Sequence, residues 1–207
     1  MLRPVGGGDY GVMVRINTDP ELMRHIHTGL PHRRDECSAD LERAITGWDN
    51  EGFGPFVAEL LDGTLIGSVG FGRPAWCPEA MPGPDVGWTV LQAHQHRGYA
   101  TEAATASIEW FFGAGLGTTL VGIHNTDNPA SGAVMQRLGM RWLRQTVHPQ
   151  CQYPIELWET TAAEWRGREP NRPIRWPSPR PRPGQTLTRQ CGAHARARGA
   201  PRSEGRG

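Results

Sequence analysis

The chain has 207 residues, of which 37% are hydrophobic and 21% charged, with a formal net charge of +1. That length suits one domain of ordinary size plus an extension and argues against two full domains. The opening MLRPVGGGDYG has no apolar run of signal-peptide length, and no later window approaches the ~20 apolar residues that cross a bilayer. The expectation is a cytoplasmic protein with no membrane partner.

Four cysteines, Cys37, Cys77, Cys151 and Cys191, stand far apart with no CxxC pair and no Cys/His cluster at zinc spacing. They read as ordinary reduced thiols. His25, His27 and His32 invite a metal reading, but positions two apart on a helix face different directions, so no metal is expected. The charge is unevenly spread. Residues 1–165 hold 11 Arg against 19 acids, whereas 166–207 hold 11 Arg against 2. Residues 167–207 are rich in Pro and Arg and poor in large apolar residues. They read as a disordered basic tail, more readily a solvated segment without function than one making weak contact with nucleic acid or a ribosome. Residues 1–166 form the expected domain.

In chain order, Asp9 to Thr18, Asp19 to His27 and Ser38 to Asp49 carry apolar residues at helical spacing. GPFVAELLDGTLIGSVGFG gives two strands joined at Asp62-Gly63, a dipeptide suited to a two-residue hairpin turn. Asp85 to Val90 reads as a further strand. From Gly98 onward Ala100, Ala104, Ile108, Phe111, Phe112 and Leu116 recur at helical intervals. Thr118 to Ile123 is the next strand. A helix then follows with Asn128 as N-cap, Pro129 at its first position and Gly139 past its end. Met140 to Val147 and Tyr153 to Glu159 complete an α+β domain with a mixed sheet of six or seven strands. One parallel βαβ crossover is expected within it.

The segment QHRGYATEA, Gln95 to Ala103, lies between a strand and the first turn of an amphipathic helix. A helix N-terminus has unpaired N–H groups and a partial positive charge. It can therefore hold a pyrophosphate where no bulky side chain blocks the approach. Gly98 and Ala100 keep the approach open, and Arg97 adds a permanent cation suited to bidentate phosphate contact. Read on its own, the turn is equally a tight strand-to-helix connection without a ligand.

Gln95, Gly98 and Ala100 resemble the signature of the GNAT superfamily of N-acetyltransferases: Gln or Arg, two residues, Gly, one residue, then Gly or Ala. The likeness extends from Leu2 to Trp165 and looks closest to the Rim-type branch, which includes enzymes acetylating N-termini of ribosomal proteins. Its pieces occur in order: NTDPELMRHI, GFGPFVAEL, DGTLIGSVGF, DVGWTV, QHRGYATEA, NTDNPASGAVMQRLGM and ELWETTAAEW.

The resemblance implies a GNAT-like, mostly antiparallel sheet flanked by helices, and acetyl-coenzyme A as cosubstrate. It implies that backbone amides from Gln95 through His96, Arg97, Gly98, Tyr99, Ala100 and Thr101 cradle the pyrophosphate. Val90 and its neighbours would pair with pantetheine, and a backbone N–H at Val90 or Leu91 would serve as oxyanion donor. Asn128 and Ser131 would line the cofactor's other side, Asn128 also being a simple helix cap. Asp85 stands where Rim-type relatives carry Glu, so it is the first candidate for general base. It is one methylene shorter, however, and could instead only bind a cationic amine or cap a turn. His124 is the second candidate, since an imidazole titrates near neutrality, although such histidines also serve structurally.

Many GNAT enzymes carry a Tyr acid where this chain has Met135, which leaves the general acid unassigned and Ser131 as a substitute. Gly52 to Gly54 and Asn17 to His32 are expected to shape the acceptor groove. Met1 to Pro4 leaves few residues for a first strand. The implied reaction is acetyl transfer to a primary amine, either a protein N-terminus or a small molecule, by a monomer or homodimer. The alternative is a noncatalytic acyl-coenzyme A-binding module of the same fold.

Overall fold

The computed structural model describes residues 1–26, 28–73 and 83–168. His27, Cys77, Cys191 and the tail from residue 169 onward lie outside the described residues. Seven strands form one sheet: β1 (Leu2–Pro4), β2 (Pro55–Glu59), β3 (Leu65–Gly72), β4 (Asp85–Val90), β5 (Thr119–Asn125), β6 (Arg141–Val147) and β7 (Pro154–Thr161). The spatial order is β1-β2-β3-β4-β5-β7-β6. All neighbours are antiparallel except β4 and β5, which the helix α4 (Tyr99–Gly113) joins as the expected crossover. The short Met1 to Pro4 segment does supply a strand, pairing Leu2 with Ala58 and Pro4 with Phe56.

The other helices are α1 (Tyr10–Asn17), α2 (Pro20–Met23), α3 (Arg34–Glu51), α5 (Pro129–Arg137) and α6 (Ala162–Arg166). Helix α2 is shorter than its apolar spacing suggests. Asp19 caps it, accepting from Glu21 N at 2.9 Å and Leu22 N at 3.2 Å, but the chain soon turns through Gly29 at φ 77°. Helix α3 starts four residues before Ser38, because Glu36 reaches back to accept the Arg33 amide at 2.6 Å.

The β2–β3 turn also differs from the two-residue form. Leu60 N donates to Thr64 O at 2.9 Å and Gly63 N to Leu60 O at 3.1 Å, with Gly63 left-handed at φ 84°. This is the three-residue loop closed by a glycine. Asp62 Oδ1 holds it by accepting the Thr64 amide at 2.9 Å.

The main core lies between α4 and strands β2 to β5. Phe56, Phe71, Val86 and Leu120 meet Ala104, Ile108 and Phe111, with Phe71 and Phe111 ring centroids 4.8 Å apart. The opposite face carries α1 to α3, where Val57 packs on Leu41 and Ala44, and Leu91 packs on Ile16 and Leu22. Successive strand residues alternate faces. In β4 the residues Val86, Trp88 and Val90 face α4, so Asp85, Gly87 and Thr89 face the other way. Past α6 the Arg168 guanidinium lies 4.4 Å over the Trp165 ring. No helix among the described residues is long and apolar enough to cross a membrane.

Candidate active site

The feature that organises the site is a split in the middle of the sheet. Strands β3 and β4 pair along all six residues of β4, but β4 and β5 meet only where Asp85 faces Val121, reinforced by Val121 N donating to Pro84 O at 3.0 Å. Beyond that point the two strands diverge. Leu91 N donates to Ile66 O at 2.8 Å, so by the antiparallel alternation the N–H groups of Trp88 and Val90 point away from β3 and into the split. An extended ligand can pair with such an edge as a strand does.

The split leads into the turn before α4. Residues Gln92–His94 form a 3-10 turn, after which His96 at φ 60° and Gly98 at φ 84° bend the chain into the helix. The first helical bond is Glu102 N to Gly98 O at 3.0 Å, and no side chain caps the helix start. The amides of His96, Arg97, Gly98, Tyr99, Ala100 and Thr101 therefore have no hydrogen-bond partner among the described residues. Among the described residues a Cβ on Gly98 would meet nothing within 4 Å, although its left-handed backbone strains any side chain there. The turn is thus an open cluster of six donors at a helix N-terminus, the arrangement that suits a pyrophosphate.

Two expectations are corrected here. The Gln95 amide is spent on Gln92 O at 3.2 Å, and its side chain Nε2 donates to Val90 O at 2.9 Å. Gln95 straps the turn to the strand end, and the donor set begins at His96. Leu91 is likewise unavailable, its N–H being held by Ile66 O and its side chain buried at 5% exposure. The β4 N–H groups that face the split near the turn are then those of Val90 and Trp88.

An open groove of about 980 Å³ runs from this turn to α5, lined by His96, Gly98, Thr101, Ala130, Ala133 and Arg137. Arg137 was not singled out in the sequence, where it reads only as a helix-ending base. In space it lines the same groove as His96 and Gly98 and brings a positive charge to it. Asn128 caps α5, accepting the Ser131 amide on Oδ1 at 3.2 Å, and both residues are half-buried. Met135, by contrast, is 1% exposed and packs under Gly122, leaving no acid on that turn of the helix.

The two candidate bases are not brought together. Asp85 lies on the sheet face away from α4, half-buried at the β4–β5 contact. Burial pushes its carboxyl up to about 6, against smaller opposing hydrogen bonds from its own amide and that of Gly72. Such a carboxyl exchanges protons near neutral pH. His124 lies on the other face, against α5. A Cβ on Gly132 would come within 3.0 Å of its Nε2. Its Nδ1 donates to Asn125 O at 2.8 Å and its Nε2 accepts from Trp158 Nε1 at 3.2 Å, with Glu156 Oε2 at 3.3 Å. The expectation of His124 as a base is corrected accordingly. With both nitrogens engaged and the ring buried, it joins β5, β7 and α5 as a structural residue. Among the described residues no group of three or more His, Cys, Asp or Glu is placed to hold a metal ion.

The family model for an acetyltransferase (GNAT) domain matches residues 1–141. Among solved structures, an acetyltransferase from Agrobacterium tumefaciens is similar at 23% identity and TM-score 0.64, covering 77% of this chain and 88% of its own. The spermidine N-acetyltransferase from Vibrio cholerae in complex with CoA and spermine is similar at 16% identity and TM-score 0.68, covering 81% and 98%. RimL, a ribosomal L7/L12 alpha-N-protein acetyltransferase in complex with coenzyme A, is similar at 12% identity and TM-score 0.66, covering 79% and 94%. At these identities the likeness is one of fold and does not single out the Rim-type branch. The split between β4 and β5, the partner-free amides at the start of α4 and the match over two thirds of the chain agree, and the chain belongs to the GNAT acetyltransferase family.

Proposed function

We propose that this protein is a cytoplasmic enzyme transferring an acetyl group from acetyl-coenzyme A to a primary amine by direct attack. The observation that carries the reading is the continuity of the β4 edge with the open amides of His96 to Thr101. A strand-like arm and a pyrophosphate could be held along one line there. Those amides with Arg97 bind the pyrophosphate, the edge at Val90 holds the arm, and Asn128 and Ser131 line the opposite wall. Acetyl-coenzyme A supplies the thioester.

Asp85 accepts the proton of the incoming ammonium, for which a carboxyl near 6 is well matched. The free amine adds to the thioester carbonyl, the tetrahedral oxyanion collapses with cleavage of the C–S bond, and the thiolate leaves with the electron pair and takes up the second proton that the nitrogen sheds. The N–H of Val90 or Trp88 donates to the developing oxyanion. A thiolate is a tolerable leaving group, so Met135 in place of an acid is compatible with turnover. Acceptors in this reading are small-molecule amines or protein N-termini, the two classes named for the spermidine enzyme and RimL.

Calorimetric titration with acetyl-coenzyme A tests the cofactor half. Gly98 points into open space, so Gly98→Trp should abolish the micromolar binding expected of wild type, with a melting curve as the control for folding. Absence of wild-type binding would remove the transferase reading.

A further inference from the structure

The strap formed by Gln95 lies at the mouth of the split. Leu91 N donates to Ile66 O at 2.8 Å, and Ser68 faces Thr89 in the same register. In an antiparallel ladder the residue between two such bonded pairs turns both of its backbone groups the other way. Val90 therefore sends its C=O as well as its N–H into the split. That carbonyl is the group to which Gln95 Nε2 donates at 2.9 Å.

The turn keeps its shape by other bonds. The Gln95 amide donates to Gln92 O at 3.2 Å and the His94 amide to Leu91 O at 2.8 Å, while the Gln95 backbone is extended at φ −65° and ψ 165°. The Gln95 side chain is also exposed, so opening its hydrogen bond hands both partners to water at a small net cost. A pantetheine arm carries two amides. Laid on β4 as a further strand, it would present an amide N–H to the same carbonyl, with the chemistry of the side-chain amide that holds it.

We propose that the Gln95 side chain is a reversible stopper of the cofactor channel, its amide competing with an amide of the pantetheine arm for the Val90 carbonyl. This rests on the cofactor half of the acetyl-transfer reading. The diphosphate end reaches the amides of His96 to Thr101 without meeting the strap. The arm pairs with β4 only in molecules whose Gln95 side chain has swung out. The fraction of such molecules scales the affinity for the whole cofactor and leaves the affinity for its nucleotide end unchanged.

The test uses Gln95→Leu in the full chain, which keeps the side chain's length and removes its donor. Coenzyme A and 3′-phospho-ADP, the same molecule without its arm, are titrated by calorimetry and by stopped flow. The variant should bind coenzyme A about two- to tenfold more tightly, as one ordinary hydrogen bond released, through a faster on-rate. It should bind 3′-phospho-ADP as wild type does. In wild type the Gln95 side-chain NH2 resonances should move when coenzyme A is added and stay in place with 3′-phospho-ADP. Unchanged or weaker coenzyme A binding in the variant, an equal change for both ligands, or NH2 resonances that coenzyme A leaves in place overturns the proposal. Should Gln95→Leu fail to fold, Gln95→Ala decides by the same criteria. Wild-type protein that binds neither ligand removes the cofactor reading itself, whereas binding that is indifferent to residue 95 removes the stopper alone.

Discussion

Replacing Asp85 with Asn should make the protein more stable and nearly inactive, and both effects follow from one environment. Burial raises the Asp85 carboxyl from 3.8 to about 6, and each tenfold change in proton affinity is worth ~1.36 kcal/mol. Holding it ionised in the fold therefore costs up to about 3 kcal/mol, and about half that once its half-buried setting is allowed for. Because the folded value lies above the unfolded one, the native state keeps its proton longer. Stability declines as pH rises from about 4 to about 6 and is level above that. Asn has no charge to desolvate and keeps the contacts from the Asp85 and Gly72 amides. At pH 7.5 its melting temperature should exceed wild type by on the order of 5 °C, and the difference should vanish near pH 3.5. Acceptor kcat/KM should fall by about 10²–10⁴, and the acidic limb near pH 6 should disappear. Melting curves at the two pH values and a pH–rate profile decide the matter. A melting difference independent of pH, or full activity with the limb intact, would refute the reasoning.

Asp9 should show the opposite pH dependence. Arg3 grips its carboxylate through two bonds of 2.8 Å, and the Gly6 amide adds a third of 2.8 Å, holding it below the ordinary carboxylate range. That stabilisation is present above about pH 4 and is lost as pH falls through the depressed value. Asp9→Asn should then cost about 1–3 kcal/mol at pH 7 and almost nothing in strong acid, as read by urea denaturation at each pH. Gly132→Ala should destabilise even though alanine favours helices by about 1 kcal/mol. The new methyl would press on His124 Nε2 and Cε1 at 3.0 and 3.1 Å, a buried ring unable to move, at an overpacking cost of about 1–3 kcal/mol. A gain in stability on Gly132→Ala would refute the close packing of α5 on β5.

What the sequence made legible was local. Asn128-Pro129 and Gly139 bound α5 because capping chemistry is written in neighbouring residues, and α4 follows from apolar spacing alone. The α2 boundary failed because Leu22 and Met23 bury while the same apolar pattern continues into a turn governed by Gly29. The hairpin turn failed by one residue, since Asp62-Gly63 suits either loop and the choice is made by Leu60 pairing with Thr64. Arg137 was not legible because its relation to His96 and Gly98 exists only across the groove between two helices.

The division of labour between Asp85 and His124 was less accessible still, because it depends on parity within the sheet. Both are titratable residues at strand ends, and each is a reasonable base by residue type. The single contact of Asp85 with Val121 fixes where the split begins and which way each strand presents its side chains. It sends the carboxylate to the face of α1 to α3 and lets the imidazole point at α5, where Trp158 and the Asn125 carbonyl consume both nitrogens. A shift of one residue in either strand would exchange the faces. The same parity sets Gly87 between Asp85 and Thr89 on the face of α1 to α3, so which of the two titratable groups stays half-exposed and which is buried is a consequence of one register.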